Sequence, residues 1–456
     1  MYIIVVGSGK VGYTLAQNLA LEDNDIVIVD NDDSTIKKTS ESLDVMTIRG
    51  NGLSPAILRE AGVAQADLVI AVMNSDEMNI VCCLTAKKLG ASQTVARIRN
   101  PEYAQELDLL KSDFGLDMVI NPELETAVKI SHVLRFPSAF SVETFAGGRV
   151  EMVELRIHPS DPIAGLSIAQ LSSKLPEAVL ICAVERGEEV FIPNGSFVLQ
   201  ERDKIHIIGK PSSVTAFFRF LKRPDRRIKN VMIVGGSRIA VYLIKRTQGT
   251  GMHYKIIETS ETRCARLCEI VPDATVVLGD GTDEQILESE GIKGMDAFIT
   301  LTDRDEENLI TALYAMHNAI PKVVAKINRI GNMNVIDQLG IDSILSPRML
   351  TTNQIIRYVR ALGNSQGSAV ETLYRIVGDR VEALEFIANE TTLNLGVPLR
   401  ELTDKLAPGT LVAIIVRGGK IIIPMGNDTI LAGDNVIIIT RKEEVSDLNH
   451  IFRLGE

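Results

Sequence analysis

The sequence predicts an α/β chain written twice: a parallel-sheet domain, a small α+β domain, and then both again. Three observations predict it. Short apolar strands alternate with helix-period segments over residues 1 to about 135, the βαβ pattern of a parallel sheet. A glycine turn joins the first strand to the first helix in YIIVVGSGKVGYTLAQNL, residues 2–19. The same motifs then return in the same order at an offset of about 228 residues, from Gly7 to Gly235 and from Asp30 to Glu258.

The elements follow in order. GSGKVG places Gly7, Gly9 and Gly12 in GxGxxG spacing, after a strand and before a helix. Gly7 permits the tight turn, Gly9 lets backbone approach a pyrophosphate, and Gly12 lets the helix pack closely. Free N–H groups at the helix start then face the phosphates. Ser8 and Val11 fill the loop, and Lys10 suits either a terminal phosphate or solvent. Asp30 ends the second strand, with Asn31 after it, where an acid accepts hydrogen bonds from a ribose 2′-OH. A carboxylate there repels a 2′-phosphate, so the site favours NAD(H), ADP or ATP over NADP. Gly52 follows a third strand, VMTIRG, in a turn suited to the adenine end. Met73, Asn74, Ser75 and Asp76 follow the fourth strand, at the carboxyl edge where open α/β sheets bind ligands. Ser75 and Asp76 also suit a helix N-cap; capping is the assignment for Asp76 and ligand contact for Asn74. Arg97 and Arg99 alternate along a fifth strand and suit a phosphate, a neighbouring subunit or solvent.

Residues 1–136 thus read as a Rossmann-like nucleotide-binding domain. The amphipathic helix 122–136 ends at Pro137. Residues 140–222 read as a small α+β domain. Its strands VEMVELRI, VLICAVERG and KIHIIG surround one helix, IAQLSSKL, with turns at Pro159, Gly187, Gly195 and Asp203. The basic segment KRPDRRIK, 222–229, reads as an exposed linker. The second half repeats the plan: a Rossmann-like domain over 229–362, containing a helix over 347–362, and a small domain over 369–453. Its loop GGSRIA keeps Gly235 and Gly236 but puts Ser237 and Ala240 where the later glycines stood, with Arg238 for Lys10 and Ile239 for Val11. Ser237 brings a side chain toward the pyrophosphate. Glu258 keeps the acid, and Asp280 sits in the turn matching Asn51. The second loop is expected to bind nucleotide less tightly, bind a different one, or serve structure. The helices 122–136 and 347–362 are candidates for a hinge and a self-association surface.

Composition narrows the function. The net charge of −11 argues against a nucleic-acid partner, which needs a basic face. No apolar run reaches the roughly 18 residues needed to cross a bilayer, so no direct membrane insertion is expected; nor is the start a signal peptide. Five cysteines without CxxC spacing fit a reducing compartment. Cys82 and Cys83 read as helix core, Cys264 and Cys268 as a buried or half-buried pair, and no metal site is expected. The six histidines are scattered, and none falls where an acid–base partner to a nicotinamide would stand. Each small domain is only about 80 residues, thin for a substrate domain. Sensing therefore explains the duplication better than catalysis. A soluble NAD-dependent oxidoreductase is the alternative, and a scaffold without nucleotide the third reading.

GSGKVG with Asp30, the GNG turn, NSDEMN, and the tandem copy with TDRDEEN resemble the TrkA family of Trk potassium uptake regulatory proteins. That family is similar to the regulator-of-potassium-conductance modules that form gating rings on potassium channels. The resemblance covers essentially the whole chain. It implies a non-enzymatic, nucleotide-binding regulatory subunit, cytoplasmic and peripheral on the inner face of the cell membrane. It also implies assembly into a homo-oligomer and with a Trk-type membrane potassium-translocating subunit. GGSRIA is the departure from the pattern.

Overall fold

Valine- and isoleucine-rich strands such as YIIVV and DIVIVD are buried on both faces, which suits parallel strands covered by helices on either side. The structure, a computed structural model, describes the chain except residues 102, 104–114, 224–226, 329–338, 342, 364–369, 377–379, 403, 442–444 and 453–456. The expected outer bounds of the last small domain, 369 and 453, and residues 224–226 of the basic joint lie outside the described residues.

The first core runs β1 (Tyr2–Val6), α1 (Lys10–Ala20), β2 (Asp25–Asp30), α2 (Asp33–Ser42), β3 (Met46–Arg49), α3 (Pro55–Glu60), β4 (Leu68–Ala71), α4 (Asp76–Lys88), β5 (Gln93–Arg97) and β6 (Met118–Ile120). Its parallel sheet has the order β3-β2-β1-β4-β5-β6. The strand order reverses at β1, where Val6 lies between Val29 and Ala71. That reversal opens a crevice at the carboxyl ends of β1 and β4. Helix α5 (Pro122–Arg135) follows. The first small domain holds β7 (Ser141–Phe145), β8 (Val150–Arg156), α6 (Ile168–Ser172), β9 (Leu180–Arg186), β10 (Glu189–Phe191), β11 (Lys204–Gly209) and α7 (Pro211–Phe220). Its sheet is antiparallel, in the order β10-β9-β11-β8-β7.

The second half repeats this. Its core has β12 (Asn230–Val234), α8 (Arg238–Arg246), β13 (His253–Glu258), α9 (Glu261–Ile270), β14 (Thr275–Leu278), α10 (Glu284–Ser289), β15 (Ala297–Thr300), α11 (Asp305–His317), β16 (Lys322–Lys326) and β17 (Ser343–Leu345), in the order β14-β13-β12-β15-β16-β17. Helix α12 (Pro347–Gly363) leads to β18 (Val370–Ile376), β19 (Val381–Ile387), α13 (Leu399–Leu402), β20 (Thr410–Arg417), β21 (Lys420–Ile422) and β22 (Asn435–Thr440). None of the described helices is long and apolar enough to cross a membrane.

The two halves exchange helices. Ala127, Ile130 and Leu134 of α5 pack on Ile239, Leu243 and Ile244 of α8. Ile355, Ile356 and Val359 of α12 share one core with Leu15 and Leu19 of α1 and with Leu384 and Phe386 of the second small domain. The two small sheets also pack together, Phe145, Met152 and Cys182 against Ile376, Ala383 and Ile437. The apolar faces of the two connecting helices, expected at a self-association surface, are therefore covered within the chain.

Two further expectations change. The small domain has a second helix, α7, which starts on Pro211 and buries Val214 and Phe217. The joint at 222–229 is docked rather than wholly exposed: Arg223 pairs with Asp161, and Ile228 is buried. Cys82 and Cys83 are buried as expected; Cys264 is half-buried, but Cys268 is exposed.

Candidate nucleotide-binding site

The first loop uses its three glycines in three ways. Gly7 has φ +101°, a left-handed conformation that favours glycine. Its N–H donates to Val29 O at 2.8 Å. At Gly12 an added Cβ would stand 1.8 Å from Gly7 O, so the helix rests directly on the turn. Gly9 is the N-cap of α1, and nothing lies within 4 Å of the place a Cβ would occupy. No side chain caps α1 and no acid sits in its first turn. Its leading N–H groups therefore point into open space, as an anion requires. Lys10 is exposed beside them, and Val11 packs into the core beneath.

Asp30 closes the other side. Its Oδ2 accepts from Ser8 N at 2.5 Å and its Oδ1 from Asp32 N at 2.9 Å. Each oxygen keeps acceptor capacity, and the residue is half-buried beside exposed Asn31. Ser8 is buried and its hydroxyl pairs with Thr39 Oγ1 at 2.8 Å. Gly52 is buried under β1: an added Cβ would meet Val6 Cγ1 at 2.1 Å.

The carboxyl edge is braced by a residue the sequence reading passed over. Asn79 is fully buried; its Oδ1 accepts from Met73 N at 2.8 Å and its Nδ2 donates to Arg97 O at 2.8 Å. It pins the ends of β4 and β5 together. Asn308 does the same in the second half, bonding Thr302 N at 3.0 Å and Lys326 O at 2.9 Å. Its recurrence at the same place in both copies was the available signal. The N-cap of α4 is Ser75, which accepts from Met78 N at 3.3 Å, and not Asp76. Asp76 is buried and turned inward, accepting from the N–H groups of Arg99 and Asn100 at 2.8 Å each. Arg99 bonds Asp76 and the Asn74 carbonyl, whereas Arg97 turns to Glu123 at 3.6 Å, so the two arginines part company. The Asn74 side chain stays exposed above the edge. Arg97 is mostly buried and its Nε has no partner among the described residues. Burial pushes its pKa down, Glu123 opposes this, and the nearby Arg99 and Arg238 reinforce it.

The second loop keeps the backbone and changes the chemistry. Gly235 has φ +97°, and its N–H donates to Ile257 O at 2.9 Å. Glu258 is longer by one methylene and its side chain is only 3% exposed. It accepts from Gly236 N and Ser260 N at 2.9 Å each, from Thr259 Oγ1 at 3.3 Å and from Arg263 at 3.5 Å. Leu267 stands where Thr39 stands in the first half, and its Cδ1 would lie 2.4 Å from a Cβ on Gly236. Ser237 occupies the N-cap without making a cap bond, and its buried Oγ has no partner among the described residues. Arg238 is exposed, while Ile239 and Ala240 are buried in packing. Asp280 accepts from Thr282 N at 2.9 Å and Thr282 Oγ1 at 2.8 Å, bonds that hold its carboxyl below the usual range and commit it to a turn.

The halves meet at the first crevice. Tyr242 of α8 donates to Arg99 O at 3.0 Å and accepts from Asn121 Nδ2, the N-cap side chain of α5, at 2.8 Å. Burial pushes its phenol up to about 12.

With this geometry in hand, the chain can be placed: it belongs to the TrkA family. The TrkA-N domain matches residues 3–122 and 231–347, and the TrkA-C domain matches 152–222 and 384–453. The chain is 33% identical to a protein named Trk system potassium uptake protein TrkA homolog 1 from Methanosarcina mazei, over 99% of this chain and 100% of that one. It is 32% identical to Trk system potassium uptake protein TrkA from Haemophilus influenzae, over 99% of each. Among solved structures, the GsuK RCK domain superposes with a TM-score of 0.64 at 20% identity, over 97% of this chain and 93% of that one. The GsuK channel bound to NAD gives the same TM-score and identity over 97% of this chain and 77% of that one. These last two establish the shared fold.

Proposed function

We propose that this TrkA-family chain is the nucleotide-sensing regulatory subunit of a potassium uptake transporter. Its first glycine loop binds NAD(H) or ADP/ATP and releases it unaltered. The observation that carries this is the open backbone over Gly9 facing an Asp30 carboxylate with acceptor capacity left. The pyrophosphate sits on the free N–H groups of α1, and the ribose hydroxyls on Asp30. Lys10, exposed beside those N–H groups, and Arg97, at the end of β5, supply the cationic contacts to the phosphates. The GsuK channel bound to NAD, which shares this fold, supports the class of ligand. The second loop holds nucleotide more weakly, because Glu258 already receives four donors.

The nucleotide acts by favouring one of two arrangements, at about 1.4 kcal/mol for each tenfold shift in their ratio. Helix α1 transmits the change, since it packs on α12 and α12 packs on the second small domain. The receiving partner is a membrane potassium-translocating subunit, with this chain on its cytoplasmic side as a homo-oligomer. Met78 and Val81 on α4 and Ile310 at the matching place on α11 are exposed apolar residues, which supports self-association there.

Calorimetry with NADH, ADP and ATP tests the site. Asp30→Ala is expected to weaken binding by about 10- to 100-fold, the worth of a hydrogen bond to a charged group. Equal affinity in the variant would remove the ribose contact. A steady change in nicotinamide absorbance with a metabolite panel would overturn the sensing role.

A further inference from the structure

We infer that the cleft between the first small domain and the second core is a separate binding site for a small phosphate-bearing anion. The cleft has a volume of about 630 Å³, within the range of small-molecule sites. It lies at the joint between the halves, away from both glycine loops. Its charged lining is Arg156, His158, Asp161, Lys222, Arg223 and Asp296.

The two acids are already engaged. Asp161 accepts from Arg223 Nη2 at 2.6 Å and from His158 N at 2.7 Å. Asp296 accepts from the N–H groups of Lys229 and Asn230 at 3.0 Å each. Arg223 neutralises Asp161 and is fixed further by the carbonyls of Ser138 and Arg156. Among the described residues the cations that remain are Arg156, held over the Phe140 ring with its guanidinium carbon 5.3 Å from the centroid, and Lys222, exposed at the rim. The exposed His158 imidazole and the hydroxyls of Ser138 and Ser160 stand beside them. A planar guanidinium already oriented by an aromatic ring, a second cation and neutral donors make an anion site, and a guanidinium suits phosphate oxygens in particular.

The walls belong to different bodies. Lys322 and Ser343 of the second core donate to the carbonyls of Ala139 and Phe140, the latter at 2.6 Å. The opposite wall is carried by β8 and the joint. An anion bound between them ties the first small domain to the second core. The glycine loops need not be occupied for this.

Inorganic pyrophosphate is the probe, and the reactivity of Lys222 toward an amine-acylating reagent is the readout, followed by mass spectrometry on the full chain. Pyrophosphate is expected to slow labelling of Lys222 about tenfold at saturation, because an adjacent anion favours the charged ammonium over the reactive free amine. Protection should persist in Gly12→Val, which blocks the first glycine loop, and fall in Arg156→Ala. His158→Ala, at an exposed position, should weaken protection without disturbing the fold and stands in if Arg156→Ala fails to fold. Unchanged Lys222 labelling at millimolar pyrophosphate, or protection indifferent to both variants, overturns the proposal. Failure of Asp30→Ala to affect nucleotide binding would leave it standing.

Discussion

The two glycine loops share one backbone and differ in what their acid has left to give. Gly7 and Gly235 turn alike, at φ +101° and +97°. Asp30 accepts two backbone bonds and is half-buried; Glu258 accepts four bonds and is almost wholly buried. The partners changed together. Ser8 with Thr39 is a hydroxyl pair, and Gly236 with Leu267 is a glycine making room for a leucine. The lesson is that an acid at the end of the second strand has two tasks, to hold the glycine turn by its N–H and to meet a ribose. Duplication kept the first task in both halves; only Asp30 keeps acceptor capacity for the second, as the proposed function requires.

The largest expected effect tests whether the same asymmetry holds at the connecting helices. Arg360 on α12 bonds Glu22 at 2.7 Å and Glu382 at 3.0 Å, and all three side chains are 10% exposed or less. It joins the first core to the second small domain. At the matching place in the first half Arg135 is 51% exposed, pairs with one acid, Glu151, at 3.0 Å, and lies over the Phe136 ring. Arg360→Ala leaves two buried acids and should cost about 3–5 kcal/mol in chemical denaturation. Arg135→Ala leaves one buried acid, Glu151, whose exposed partner solvent can partly replace, and should cost less, about 1–3 kcal/mol. Equal costs would show that the halves are held with the same strength.

Next comes the loop itself. Gly12→Ala drives a methyl into Gly7 O and should cost about 1–3 kcal/mol as overpacking, with nucleotide binding at the first loop lost. Ala240→Gly, the reverse change in the second loop, should cost about 1 kcal/mol through helix propensity. Thermal denaturation and calorimetry separate the two readouts. The acids follow: Asp30→Asn should lower nucleotide affinity by about tenfold, and Glu258→Gln should leave the calorimetric affinity of the tight site unchanged.

Much of this was legible in the residues because it is local. A turn at positive φ, a helix start and an acid at a strand end each have a short pattern, and the repeat displayed each pattern twice. What could not be read depends on long-range placement. The stripe Ala127–Ile130–Leu134 says that α5 packs, but not that its partner is α8 of the other half. Arg223 reads as solvated until Asp161, 62 positions earlier, is found beside it. Asn79 has no local signal of its role, because its bonds reach the ends of two different strands. At the start of α4 two adjacent residues could cap, and Ser75 does so because Asp76 is drawn inward by the loop after β5. Glu258 has the residue type of a ribose acceptor, and only its extra reach shows why it is saturated.

The smallest expected effect is a pH dependence that again separates the halves. His132 on α5 lies among Lys129, Arg246 and Arg135, and burial first, then these cations, hold it down at about 4. Its place in the second half is taken by Arg357, a half-buried residue donating to Glu371 O at 2.8 Å. In the unfolded chain the imidazole titrates near its ordinary 6.5. Between 6.5 and about 4 the unfolded state therefore binds more protons, so stability is full above 6.5 and is lost as pH falls through that window. Because the ring is partly solvated, we hold the loss to about 1 kcal/mol. Glu151 nearby acts in the opposite sense. Burial raises its carboxyl and Arg135 only partly restores it, so the folded state holds its proton longer and stability falls as pH rises above the ordinary carboxylate range. Denaturant midpoints measured from pH 4 to 7 should thus flatten in His132→Gln, which removes the acid-side loss, and steepen in Glu151→Gln, which removes the opposing slope. Matching slopes in both variants would mean that neither group senses the packing of α5 on the other half.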